Sequence, residues 1–143
     1  MLLSIQIIFR LVLAAVLTGL IGVERESKHR PAGLRTNILV GLGSCLFVLI
    51  SLSTGIMSGT DPTRIAAGVV TGIGFLGAGL IIREGNSGVQ GITTAATVWV
   101  VSAIGMAVGF GLYSYAIITT VVVLVVLYTF GSEKVRKAMK LDD

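Results

Sequence analysis

The sequence predicts an all-α, polytopic bundle of five transmembrane helices, with the N-terminus outside and the C-terminus cytoplasmic. Three observations carry this expectation. Of the 143 residues, 54% are hydrophobic and only 13% charged, against roughly 25% charged in soluble domains, and the mean hydropathy is +0.95. The apolar residues gather in runs near the roughly 20 residues that cross a hydrocarbon core about 30 Å thick. The Lys and Arg residues collect in two clusters, which membranes sort to the cytoplasmic side. The same composition excludes a soluble domain and a disordered chain, and 19 glycines without a Gly-X-Y period exclude collagen-like and linker classes.

The expected spans are residues 2–22, 37–57, 65–82, 92–110 and 113–130. The first lacks a basic lead-in and a small-residue cleavage site, so it reads as a retained helix and not a signal peptide. It is expected to run on past the membrane until Pro31 stops it, carrying Glu24–Lys28 and Glu26–Arg30 pairs in the favourable acid-first order. Thr36 or Asn37 is the expected cap of the second helix. Asp61 followed by Pro62 predicts the start of the third, the carboxylate accepting N–H groups where Pro lacks one. Arg83 through Gly91 reads as a polar, Gly-rich turn. The last two runs read as one helix would reach about 58 Å, nearly twice the bilayer core, so they are divided at Gly109-Phe110-Gly111. Residues 1–131 then form the membrane domain and residues 132–143 a short basic amphipathic cytoplasmic tail on the membrane surface.

Charge tests the count independently. Arg25, Lys28, Arg30 and Arg35 lie between the first two helices, and Lys134, Arg136, Lys137 and Lys140 after the fifth. An even number of crossings between the clusters puts both on one side; a four-helix count would separate them. The net charge of +4 is thus a topology signal, and with no aromatic residues interleaved it points away from nucleic acid.

The chemistry is sparse. Gly72-Ile73-Gly74-Phe75-Leu76-Gly77 matches G-x-G-x-x-G, but a membrane helix supplies neither the strand nor the aqueous crevice of a dinucleotide site. Gly68 with Gly72, and Gly74 with Ala78, stand four apart and suit close helix packing, within the chain or in a homodimer. A locally unwound segment lining a site at mid-membrane is the second reading. The acids all stand near helix ends, where a cation pathway usually shows intramembrane carboxylates. Glu24, Glu26 and Glu84 are expected to meet Arg25, Arg35 and Arg83 in an interfacial ion-pair network. Arg10 is the deepest charge; it either snorkels outward or pairs with Asp61. Cys45 reads as a small buried apolar residue, and His29, without a second ligand nearby, does not read as a metal site. The chain shows no P-loop and no nucleophile constellation, so it does not read as an enzyme. Thr93, Thr94 and Trp99 on the fourth helix are placed to bond or pack across helices.

Taken in order, the blocks 22–26 (GVERE), 30–36 (RPAGLRT), 64–67 (RIAA), 72–79 (GIGFLGAG), 83–85 (REG) and 91–99 (GITTAATVW) resemble the MgtC/SapB family. The resemblance runs from about residue 19 to 111. It implies a bacterial inner-membrane protein linked to growth under magnesium limitation and, in pathogens, to survival inside macrophages. The family is often labelled as magnesium transport, while some members act on membrane partners such as the F-type ATP synthase. The family commonly carries Gln at the position of Gly68, and many members continue into a soluble domain similar to ACT domains, whose regulation is not carried over to a chain ending at Asp143. By resemblance the site residues are Glu24, Arg25, Arg35, Asp61, Arg64, Glu84 and Thr93 with Gly72, Gly74, Gly77 and Gly79; Thr94 and Trp99 join them from the same helix as Thr93. Glu24, Glu84 and Asp61 are the candidate metal ligands. No cofactor is expected beyond Mg2+ as an open ligand. The expected partners are membrane lipid, a second copy with a dimer favoured, and another membrane protein such as an ATP synthase. The expected function is a non-enzymatic one, exerted through helix contacts in magnesium homeostasis; a passive cation pathway at the third-helix glycines and the inner Glu cluster is the alternative.

Overall fold

The first helix ends where its backbone turns left-handed. A computed structural model of the chain, describing residues 2–59, 61, 63–83 and 88–131, places α1 at Leu2–Ser27. His29 takes φ 51°; its N–H donates to the Glu26 carbonyl at 3.0 Å and the Arg30 N–H to the Arg25 carbonyl at 2.9 Å. These two bonds are a Schellman ending, which satisfies carbonyls a helix end otherwise leaves free. The helix therefore stops before Pro31 and not at it.

Helix α2 (Leu34–Ser58) starts three residues earlier than expected, and neither Thr36 nor Asn37 caps it. The cap comes from α1, whose Glu26 Oε2 accepts the Leu34 N–H at 2.7 Å. Asn37 instead reaches backward, donating from Nδ2 to the Ala32 and Gly33 carbonyls at 2.6 and 2.8 Å. Before α3 (Thr63–Gly79), Asp61 Oδ1 accepts the Thr63 N–H at 2.8 Å, as the sequence predicts; Pro62 lies outside the described residues. Helix α3 runs unbroken through its glycines, so the unwound reading does not hold. Where a plain turn was expected, strands β1 (Ile82–Arg83) and β2 (Val89–Gln90) pair antiparallel, Ile82 opposite Gln90 and Arg83 opposite Val89. Gly91 closes the ribbon at φ 88°, where a Cβ would collide with the Leu80 carbonyl oxygen. Helices α4 (Ile92–Phe110) and α5 (Tyr113–Phe130) have the predicted bounds. Gly111, at φ 81°, makes a second Schellman ending: its N–H donates to Val108 and that of Leu112 to Ala107, at 3.0 and 2.8 Å. The expected tail, residues 132–143, lies outside the described residues.

Helix α4 is central, packing against each of the other helices. Gly105 presses on the Gly41 backbone and Gly109 on Cys45 and Val48. Positions rise together along both helices, so α2 and α4 run parallel. Helix α1 opposes them, with Arg25 at the start of α4 and Arg10 at its end. The chain between two parallel helices must return, and α3 with its ribbon makes that return. The bundle height is thus crossed five times. By length and composition α1, α2, α4 and α5 can each span a membrane, while α3 has 17 residues, about 25 Å. The short link from α4 turns α5 back, so Gly131 returns toward the end of the bundle that holds the loop between α1 and α2. This is the basic end; the other is the Asp61 end. The core joins Ala14, Leu17 and Ile21 of α1 to Cys45, Val101, Ile104, Val108, Ala116 and Leu127. Outside it, Val121, Val122, Val125 and Tyr128 of α5 are exposed, as lipid-facing residues of a multi-pass membrane protein are.

Candidate functional site

The buried charges sit at the basic end because α1 comes very close to α2 there. A Cβ on Gly22 would stand 2.8 Å from the Leu34 Cα, and Gly41 receives the Thr18 side chain. With that face of α1 committed to α2, Arg25 projects toward α4, where Nη2 donates to Thr94 Oγ1 at 3.1 Å. Its Nη1 is 3.9 Å from Glu24 Oε2, an ion pair without a hydrogen bond. Glu24 is 2% exposed and Arg25 5%. Among the described residues three buried side-chain polar atoms have no hydrogen-bond partner: Glu24 Oε2, Arg25 Nε and Asn37 Oδ1. Such atoms carry an uncompensated desolvation cost. Among the described residues the expected Glu24–Lys28 and Glu26–Arg30 pairs do not form.

A polar stripe that sequence reasoning missed runs along α2. Asn37, Ser44 and Ser51 are all buried, and Ser44 Oγ lies 2.8 Å from Ser102 Oγ of α4. The signal was present: polar residues seven apart in an otherwise apolar run share one helix face. Arg10 was also placed differently. It does not meet Asp61; Nη1 donates to the Gly109 carbonyl at 2.7 Å and Nε to the Tyr113 hydroxyl at 3.2 Å. A cation thereby sits on the negative end of the α4 dipole.

The remaining predicted residues are dispersed. Asp61 spends both carboxylate oxygens on Thr63, whose hydroxyl lies 2.8 and 2.9 Å from them, and those bonds lower its pKa. It stands at the opposite end from Glu24, so the two cannot ligate one ion. The Arg64 N–H donates to the Asp61 carbonyl at 3.4 Å, and the Arg64 side chain is exposed. Arg35 is exposed. Thr93 is exposed on the turn before Thr94, with its carbonyl accepting the Thr97 hydroxyl at 2.7 Å. Glu84, and with it the expected inner cluster, lies outside the described residues. No group of three or more His, Cys, Asp or Glu able to hold a metal occurs among the described residues.

The α3 glycines divide from the rest. Gly22, Gly41, Gly105 and Gly109 are pressed against neighbouring helices, whereas Gly68, Gly72, Gly74 and Gly79 have no neighbouring atom within 4 Å of an added Cβ. Gly77 alone of that block meets α4, in ordinary contact with Ala95 at 3.7 Å. Packing within the chain therefore does not account for the block. Two grooves flank α3. One of about 710 Å³ lies against α2, and an open one of about 480 Å³ lies toward α4, lined by Gly74, Gly77 and Ala78 on one side and Ala95, Ala96 and Trp99 on the other.

A model of the MgtC family matches residues 11–135. The chain belongs to the MgtC family. Relatives include YhiD of Escherichia coli strain K12, whose name proposes magnesium transport, 47% identical over 131 residues, which are 87% of this chain and 60% of YhiD. Protein MgtC of Brucella abortus strain 2308 is 51% identical over 114 residues, 79% of this chain and 46% of its own. Protein MgtC of Salmonella typhimurium strain 14028s is 48% identical over 117 residues, 82% and 49% of the two chains. The chain thus spans about half to three-fifths of the length of these MgtC-family relatives. No solved structure matches it.

Proposed function

We propose that this chain is a non-enzymatic protein of the bacterial inner membrane, with the basic end cytoplasmic, that serves magnesium homeostasis through helix contacts. The partner is a second copy, most simply in a dimer, or another membrane protein such as an ATP synthase. One observation carries the reading. Helix α3 offers Gly74 and Ala78 to the membrane with open space above Gly74, and small residues exposed on a membrane helix let another backbone approach closely. The magnesium in the proposal comes from the family and from the name of YhiD.

The test is to crowd that face. Gly74→Leu and Ala78→Leu are expected to weaken self-association, or capture of the partner, in membrane cross-linking, while leaving the purified chain folded. Unchanged cross-linking in both variants would sink the reading. Glu24 Oε2, which has no hydrogen-bond partner, together with the name of YhiD, favours a second reading in which Mg2+ is cargo on a passive pathway. Under that reading, vesicles holding the protein take up magnesium faster than empty ones, and Glu24→Gln removes the difference; uptake equal to that of empty vesicles discards it.

A further inference from the structure

We infer that the groove between α2 and α3 is a binding site for one anionic phospholipid, its acyl chain along the groove and its headgroup on Arg35. The groove holds about 710 Å³, within the roughly 300–1,000 Å³ typical of small-ligand sites. Leu39, Val40 and Phe47 of α2 and Ile65, Val69 and Leu76 of α3 give it apolar walls. The absent side chains of Gly43, Gly68 and Gly72, each with nothing within 4 Å, give it depth. The one hydroxyl in the lining, Ser44, already lies in hydrogen-bond range of Ser102, so the interior asks for hydrocarbon.

Charge selects the occupant. The antiparallel course of α2 and α3 puts Leu39 and Leu76, 67% and 57% exposed, toward the basic end of the groove. Arg35 stands four residues before Leu39, one turn along the same helix face. It is exposed and makes no ion pair or side-chain hydrogen bond among the described residues. A guanidinium forks onto a phosphate with two parallel hydrogen bonds, so an unpaired one at the mouth of an apolar groove matches a lipid phosphate above its own acyl chain. An apolar helix from a second copy would fill the groove and leave Arg35 without a counter-charge. The face used in the proposed helix contact is separate, since Gly74 is turned about 200° from Gly72 around the α3 axis.

The experiment is native mass spectrometry of the full chain offered phosphatidylglycerol or phosphatidylcholine with identical acyl chains. A parallel arm uses phosphatidylglycerol carrying a diazirine in one acyl chain. One phosphatidylglycerol per chain should be retained about five-fold better than phosphatidylcholine, the effect of one juxtamembrane cation on an anionic lipid. Arg35→Gln should abolish the preference, while Lys28→Gln, which removes a like charge from the same loop, should keep it. The diazirine should label α2 and α3, and Gly72→Leu should remove that label. Leu76→Trp fills the same space from an exposed position and serves if Gly72→Leu does not fold. Gly74→Leu should change neither retention nor label, so failure of the helix-contact reading and failure of this one are told apart. Equal retention of the two lipids, an Arg35→Gln variant that behaves as wild type, or a label confined to other helices would overturn the inference. So would chain-to-chain cross-links from cysteines placed at Leu39 and Leu76, which would put a second copy in the groove.

Discussion

Arg25 ties α1 to α4 at the basic end, and its surroundings make it costly to disturb. It is buried beside Glu24 and donates to Thr94 across the α1–α4 seam. Removing one member of a buried pair strands the other charge, at about 3–5 kcal/mol, whereas an apolar replacement of both is often near neutral. Glu24→Ala should therefore destabilise the protein by about that amount, and Glu24→Ala combined with Arg25→Met should restore much of it, read as unfolding in mild detergent. Equal losses in the single and double variants would contradict the pairing. His29 gives the opposite prediction. It holds φ 51°, a left-handed conformation that costs an L-residue roughly 1–2 kcal/mol, so His29→Gly should raise the thermal midpoint without changing the Schellman ending. Asp61 supplies the pH dependence. Its hydrogen bonds to Thr63 lower its pKa, so its share of stability is fully present above the unfolded-state value and is lost as pH falls through the lower folded one. Wild type should lose more stability than Asp61→Asn between neutral pH and about pH 3, below the ordinary aspartate value.

Among the elements, α2 and α4 form the seam on which the bundle depends. A Cβ on Gly105 meets the Gly41 carbonyl, while one on Gly72 meets nothing. Gly105→Ala should cost about 1–3 kcal/mol, the usual penalty for overpacking, whereas Gly72→Ala should add about 0.5–1 kcal/mol of stability, the advantage of Ala over Gly inside a helix. Equal effects would mean that the two helices do not approach as described. The contrast also explains what the sequence could reveal. The bounds of α4 and α5 were legible because Gly111 and its charge-free flanks leave no alternative length that fits a bilayer. The start of α3 was legible in Asp61, whose carboxylate is a local cap. The glycines of α3 were the more conspicuous, since they crowd into one block, yet the tightly packed ones are Gly22, Gly41, Gly105 and Gly109, scattered singly through apolar runs. Spacing along one helix cannot say which face a different helix will touch. Strands of two residues carry no period, so the β1–β2 ribbon had no signal. The stop of α1 turned on a left-handed His29, which composition does not announce.

At the scale of the whole molecule, parity was readable and proximity was not. Two basic clusters required an even number of crossings between them, and the parallel run of α2 and α4 meets that requirement through α3. A reporter fused after Asp143 should therefore be active only as a cytoplasmic fusion, and one before Met1 only as an external fusion; the reverse pattern would invert the assigned sides. Glu24 and Arg25 were legible as candidates, but the meeting of Arg25 with Thr94 joins residues 69 apart in the chain, which no local pattern encodes. The shortness of α3 has a further consequence. Four helices have 18 or more residues in their apolar spans, and the returning one has 17, about 25 Å against a hydrocarbon core of about 30 Å. A short span is accommodated by thinning the bilayer beside it, at a fraction of a kcal/mol for each ångström of mismatch. The lipid beside α3 is then thinner than that beside α1 and α2, whose apolar spans have 24 and 22 residues. A thicker bilayer adds to the mismatch most at α3, the shortest span, so α3 is the first helix whose surrounding lipid must yield.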